Sequence, residues 1–151
     1  MVQIEFTEKE YRELCEVYYL AEWMVNAYKV PPEEPTDTYG GLGQKIYGAA
    51  APAGCGDLVE YDAKSREFNP SQTLEDVCEE PIRESESNVF WDELMVRMAE
   101  RDVDRESAGG LNALTDEDRF TAIGEKEEMY DNEFCMNGIS RLEIVGSPHM
   151  G

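Results

Sequence analysis

The sequence predicts a mainly α fold, a bundle of about four helices. A small antiparallel β element pairs the N- and C-terminal strands, with an α+β fold as the alternative. Three observations carry this. In the 88–102 stretch Phe90, Leu94 and Met98 fall on one helical line and Trp91, Met95 and Ala99 on the line beside it, a broad apolar stripe. Thr7 and Thr115 each precede an acidic first turn and then an apolar run at helical spacing, as N-caps do. At the two ends, Val2-Gln-Ile-Glu-Phe6 and Arg141-Leu-Glu-Ile-Val145 alternate as half-buried strands do.

Taken in order, Thr7 with Glu10 reads as a capping box opening a first helix that runs to about Tyr28. From Val17 to Tyr28 only Glu22 and Asn26 are polar, so this half is expected to be enclosed on most sides. Pro31-Pro32 should end it, with a turn over 33–37. Tyr39, Leu42, Ile46 and Ala49-Ala50 keep helical spacing, predicting a helix near 38–51. Gly40, Gly41, Gly43 and Gly48 each weaken it by about 1 kcal/mol relative to Ala. Residues 58–61 and 66–68 flank Asp62-Ala-Lys-Ser65 as a small hairpin or paired extended loop. Thr73 to Asp76 reads as a cap of a short helix that Pro81 interrupts. An acidic, exposed stretch over 79–87 leads into the helix of 88–105. After a loop at 107–112, Thr115 caps a last helix. There Phe120, Ile123, Tyr130 and Phe134 share a face, and Gly138 with Ile139 fits a Schellman stop. The aromatic stripe at 88–102 is expected to pack on the enclosed half of the first helix.

A chain of 151 residues fits one domain, 1–145, with a disordered tail over 146–151. No apolar run approaches the roughly 18 residues of a spanning helix, and the N-terminus lacks a basic region, so a soluble cytoplasmic protein is expected. Cys15, Cys55, Cys78 and Cys135 are scattered without a Cys-x-x-Cys pair, which favours unpaired thiols over disulfides or zinc.

Charge is the dominant property. Thirty-four acidic against thirteen basic side chains give −21, of which −14 lies in residues 73–133 and −7 in residues 1–72. Contacts to nucleic acid or an anionic membrane need basic patches, so both are disfavoured, and a basic protein partner is favoured.

Little reactive chemistry is on offer. The single histidine, His149, sits in the tail, where it can serve neither a nucleophile pair nor a zinc or di-iron motif. Gly40-Gly-Leu-Gly43-Gln-Lys45 lacks the ending of a phosphate loop. Asp102-Val-Asp104-Arg-Glu106 starts like a calcium loop but has Ser107 where glycine is needed and Ala113 where the bidentate Glu belongs. No cofactor or metal is therefore expected. Arg97, Arg101 and Arg105 line one helix edge, best explained by pairing with Glu93, Glu100 and Asp104. Glu22, amid Leu20-Ala-Glu-Trp-Met-Val25, is the one attractive candidate for a buried carboxylate; a solvated seam shared with Asn26 is the simpler account.

At Thr7-Glu-Lys-Glu-Tyr-Arg12 and at Phe90-Trp-Asp-Glu-Leu94 with Ala99-Glu-Arg-Asp102, the chain resembles small acidic bacterial proteins of no assigned activity. The resemblance covers about a third of the chain. It implies one fold unit of this length and transfers no catalytic or binding residue.

Two functions follow as expectations. The first is a non-enzymatic acidic protein that binds a basic protein surface through Glu79, Glu80, Glu84, Glu86, Glu93, Glu100, Asp104, Glu125 and Glu128. In its narrow form it is a DNA mimic of the anti-restriction or anti-CRISPR type, which demands carboxylates in elongated rows rather than spread over all faces. The second is a small enzyme or ligand-binding domain built on a buried carboxylate near Glu22, which demands an enclosed cavity.

Overall fold

The computed structural model describes residues 3–29 and 39–143. The fold is mainly α with a small antiparallel β element. Its elements are α1 (Glu8–Asn26), α2 (Gly40–Gly48), β1 (Val59–Asp62), β2 (Glu67–Pro70), α3 (Gln72–Glu106) and α4 (Asp116–Asn137). Among the described residues no helix is long and apolar enough to cross a membrane. The chain divides into two compact units, Met1–Glu84 and Ser85–Gly151.

The first unit starts from the capping box the sequence predicts. Glu10 N donates to the Thr7 hydroxyl at 3.3 Å, and Thr7 N donates back to the Glu10 carboxylate at 2.8 Å. α1 then packs on α2, with the Tyr18 ring edge-on to Tyr47 at 5.2 Å between centroids. Gly43 makes this approach possible, because a Cβ there would overlap the Tyr18 hydroxyl. The Gln44 amide clips α2 to the hairpin, donating to Phe68 O at 2.9 Å and accepting from Phe68 N at 2.8 Å. β1 and β2 pair antiparallel from Val59↔Pro70 to Asp62↔Glu67, joined by a turn in which Asp62 accepts from Lys64 N at 2.8 Å. The core beneath is Cys15, Tyr47, Ala50, Cys55, Leu58, Leu74 and Cys78.

α3 begins two residues earlier than Thr73 suggests. Ser71, itself buried, donates its hydroxyl to Asp57 O at 2.7 Å and accepts from Leu74 N at 3.4 Å, so Ser71 does the capping. Nor does Pro81 interrupt the helix, which runs straight through it. Proline removes the hydrogen bond to the carbonyl four residues back. That residue is Val77, which is 49% exposed, so water can serve the orphaned oxygen.

In the second unit the later half of α3 packs on α4. Trp91 lies 5.5 Å from Phe134, and Tyr130 stacks on Phe134 at 5.7 Å. Ala99 and Val103 of α3 are also buried. α4 opens at Thr115, which accepts from Asp118 N at 3.1 Å, and closes at Gly138. There φ is 55° and the N–H donates to Phe134 O at 2.9 Å.

Three expectations are corrected. Residues 3–7 and 141–143 form no strand, and Ile4 and Phe6 are exposed. The antiparallel element is the 59–70 hairpin, whose partners sit close enough in sequence to pair at small loop-closure cost. The later half of α1 is open, with Met24 74% exposed, and Tyr28 just past its end is 77% exposed. The nine residues of α2 cover one side of α1, and the start of α3 reaches α1 at Glu16, whose carbonyl faces the Cys78 thiol at 3.9 Å. Within the second unit the aromatic stripe of 88–102 meets Phe134 of α4. Phe120 leaves the shared face of α4, at 81% exposed. The α1 stop at Pro31-Pro32, the turn of 33–37, the strand residues Val2, Ile144 and Val145, and the 146–151 tail with His149 lie outside the described residues.

Candidate interaction surface

The buried-carboxylate idea fails at its first requirement. Glu22 is exposed and accepts from the Asn26 amide at 3.1 Å, the solvated seam expected of an i, i+4 pair. The thiols are also quiet. All four cysteines are free. Burial pushes the Cys15 thiol up to about 11 and raises those of Cys55 and Cys78. At exposed Cys135 the neighbouring Asp131 carboxylate raises the thiol pKa. None is held as the thiolate that nucleophilic chemistry requires.

The acidic residues singled out from the sequence, Glu79, Glu80, Glu84, Glu86, Glu93, Glu100, Asp104, Glu125 and Glu128, are all exposed. Glu79, Glu80 and Glu84 belong to the first unit and the rest to the second. Within the second unit Glu86, Glu93 and Glu100 recur every seven residues along α3, which places them on one line. Glu93 is paired with Arg97 at 2.9 Å, and Asp104 accepts from Leu111 N at 2.9 Å, closing the loop after α3. Glu79, Glu80, Glu84, Glu100, Glu125 and Glu128 have no cation within ion-pair distance among the described residues.

The arginine edge behaves differently from its sequence reading. Only Arg97 pairs as expected. Arg101 turns to Asp102 at 2.8 Å, and Arg105 approaches the same carboxylate at 4.0 Å. Asp102 also accepts the Tyr130 hydroxyl, so one carboxylate ties α3 to α4 and faces two arginines. The Arg101 guanidinium, and then the Tyr130 hydroxyl, hold the Asp102 carboxyl below its ordinary 3.8. A depressed carboxylate stabilises the fold fully above its unfolded pKa and loses that contribution as pH falls through the folded one. Asp102→Asn is therefore expected to cost about 1–3 kcal/mol at neutral pH, the penalty for breaking a charged, partly buried network. The gap from the native protein should close at acid pH. Urea unfolding followed at pH 7 and near pH 3 checks this; an unchanged gap means the Asp102 charge contributes nothing.

One concave feature of the second unit gathers several carboxylates. A groove of about 600 Å³ runs between α3 and α4, lined by Asp92, Met95, Val96, Gly124, Glu127, Glu128 and Asp131. Of these only Glu128 stood among the candidates from sequence. The signal available for the others was their placement at three- and four-residue steps, Gly124, Glu127, Glu128 and Asp131, along one flank of α4.

No protein-family model, no curated protein and no solved structure matches the chain.

Proposed function

We propose that the chain is a non-enzymatic interaction protein that binds a basic surface on another protein. The observation that carries this is the set of exposed carboxylates left without cation partners, Glu79, Glu80, Glu84, Glu100, Glu125 and Glu128, in a chain of net charge −21. Carboxylates that no internal cation compensates steer a basic partner and gain most from meeting one. Exposed Glu22 lends the enzyme alternative no support.

The narrower idea of DNA mimicry has less behind it. Glu86, Glu93 and Glu100 form a row, but successive members rise about 10.5 Å along the helix, against about 3.4 Å per nucleotide of one strand. Phe90 and Arg97 interleave on the same line, and the acids of α4 face several directions. A face of mixed character fits a basic protein surface better than a site shaped for a phosphate backbone.

The test is affinity capture from lysate between about 0.1 and 1 M salt, where the screening length falls from about 10 to 3 Å. An unrelated protein of equal net charge serves as control. The expected result is a basic protein retained only by this chain, released as salt rises, and weakened by joint Glu100→Gln, Glu125→Gln and Glu128→Gln substitution. Equal capture by the control, or retention indifferent to salt, overturns the reading.

A further inference from the structure

We propose that the α3–α4 groove is where the partner docks, and that its occupant is a basic amphipathic helical segment of another protein. This rests on the reading above and gives it a location and a partner chemistry.

The groove combines an apolar floor with a charged rim. Met95 and the exposed side chain of Val96 supply the floor from α3. Opposite them α4 presents Gly124, where a Cβ would meet nothing within 4 Å, so that wall is bare and the groove stays wide. Around it stand Asp92, Glu127, Glu128 and Asp131. None of these four has a cation within ion-pair distance among the described residues, and Asp131 takes only a weak 3.7 Å contact from the Cys135 thiol. Gly124 to Asp131 is seven residue steps along α4, about 10.5 Å or two helical turns.

Charge and shape together select the occupant. An anionic strand or lipid surface meets the wrong sign. A second copy of the chain brings another −21 to the contact. Among the described residues no three His, Cys, Asp or Glu side chains come together to hold a metal ion. An extended polyamine would satisfy the rim but leave Met95 and Val96 wet. An amphipathic helix answers both demands. Apolar side chains on one face enter the groove, and Lys or Arg at neighbouring three- and four-residue steps reach the rim. A methionine in the floor adapts its shape to the inserted side chain.

The experiment uses the full chain and three synthetic peptides. One has leucines on one helical face and lysines on the other. The second has the same composition scrambled so that no apolar face forms, and the third is oligolysine of equal charge. Titration calorimetry should show the amphipathic peptide binding roughly tenfold tighter than either control, or more. Joint Asp92→Asn, Glu128→Gln and Asp131→Asn substitution should weaken it on the order of tenfold, the sum of three modest rim pairs. Val96→Ser, which leaves the charge alone, should weaken it as well. Amide NMR shifts should centre on Val96, Gly124 and Asp131. Equal binding of all three peptides, or shifts centred elsewhere, overturns the groove assignment. A salt-sensitive basic partner from lysate that is held undiminished by the groove variants would overturn it too, while leaving the broader reading intact. Peptide binding at the groove with no basic partner in lysate would instead overturn the broader reading.

Discussion

Phe134→Ala is expected to lower the stability of the second unit by about 3–5 kcal/mol, the range for removing a buried aromatic ring. Phe134 is 8% exposed and is the one buried residue of α4. Its ring sits between Trp91 at 5.5 Å and Tyr130 at 5.7 Å, the latter stacked with planes 17° apart. Such ring pairs add about 0.5–1.5 kcal/mol beyond the area they bury. The loss also spreads, because Tyr130 delivers its hydroxyl to Asp102 from the same stack. The chain holds two tryptophans, one in each unit, so a Trp23→Phe background leaves Trp91 as sole reporter. In that background the urea midpoint should fall by roughly 1–5 M for an m value of about 1–3 kcal/mol/M. Phe120→Ala, at a site 81% exposed, should stay within about 0.5 kcal/mol. A Phe134 variant that also stays there would remove the aromatic stack from the core.

What the sequence made legible was local. The Thr7–Glu10 box, the Thr115 cap, the Gly138 stop and the 59–70 hairpin each depend on residues a few positions apart, and each is present. What it left dark depended on distant partners. The stripe of 88–102 announces a buried face without saying which helix covers it, and Phe134 is more than thirty residues away. Gly43 reads as a weak point in a helix until the Tyr18 hydroxyl occupies the space its side chain would need. Pro81 reads as a stop because proline gives up one backbone hydrogen bond and crowds the carbonyl four residues back, yet the helix continues through it. The later half of α1 reads as enclosed because its composition is apolar, yet composition cannot say whether a partner of matching length exists.

The candidate surface divides the same way. Exposure of the acids follows from their chemistry, since an unpaired carboxylate is costly to bury. The groove does not follow, for it needs Asp92, Met95 and Val96 of α3 to face Gly124, Glu127 and Asp131 of α4. Arg101 illustrates the limit. By spacing it belongs with its helical neighbours at three and four residues, but it instead joins Asp102 beside it and Tyr130 of α4, a contact only α4 could supply.

The first unit should respond as sharply to Leu74→Ala, at about 2–5 kcal/mol. Leu74 is fully buried among Cys15, Tyr47, Ala50, Cys55, Leu58 and Cys78. Where in that range it falls depends on how far the site can collapse around the cavity. The surroundings resist collapse on each side. The Ser71 hydroxyl holds the Leu74 backbone and Asp57 O at once, while Arg12 grips Asp57 through two 2.9 Å bonds. Gln44 fixes β2 to α2. A framework clamped at these points leaves the void unfilled, which places the expected loss in the upper half of the range. A Trp91→Phe background makes Trp23 of α1 the reporter, and urea unfolding gives the difference. Val77→Ala, three residues along the same helix and half exposed, should change stability by under about 0.5 kcal/mol. If the two substitutions cost the same, Leu74 is not the anchor that joins the start of α3 to the first unit.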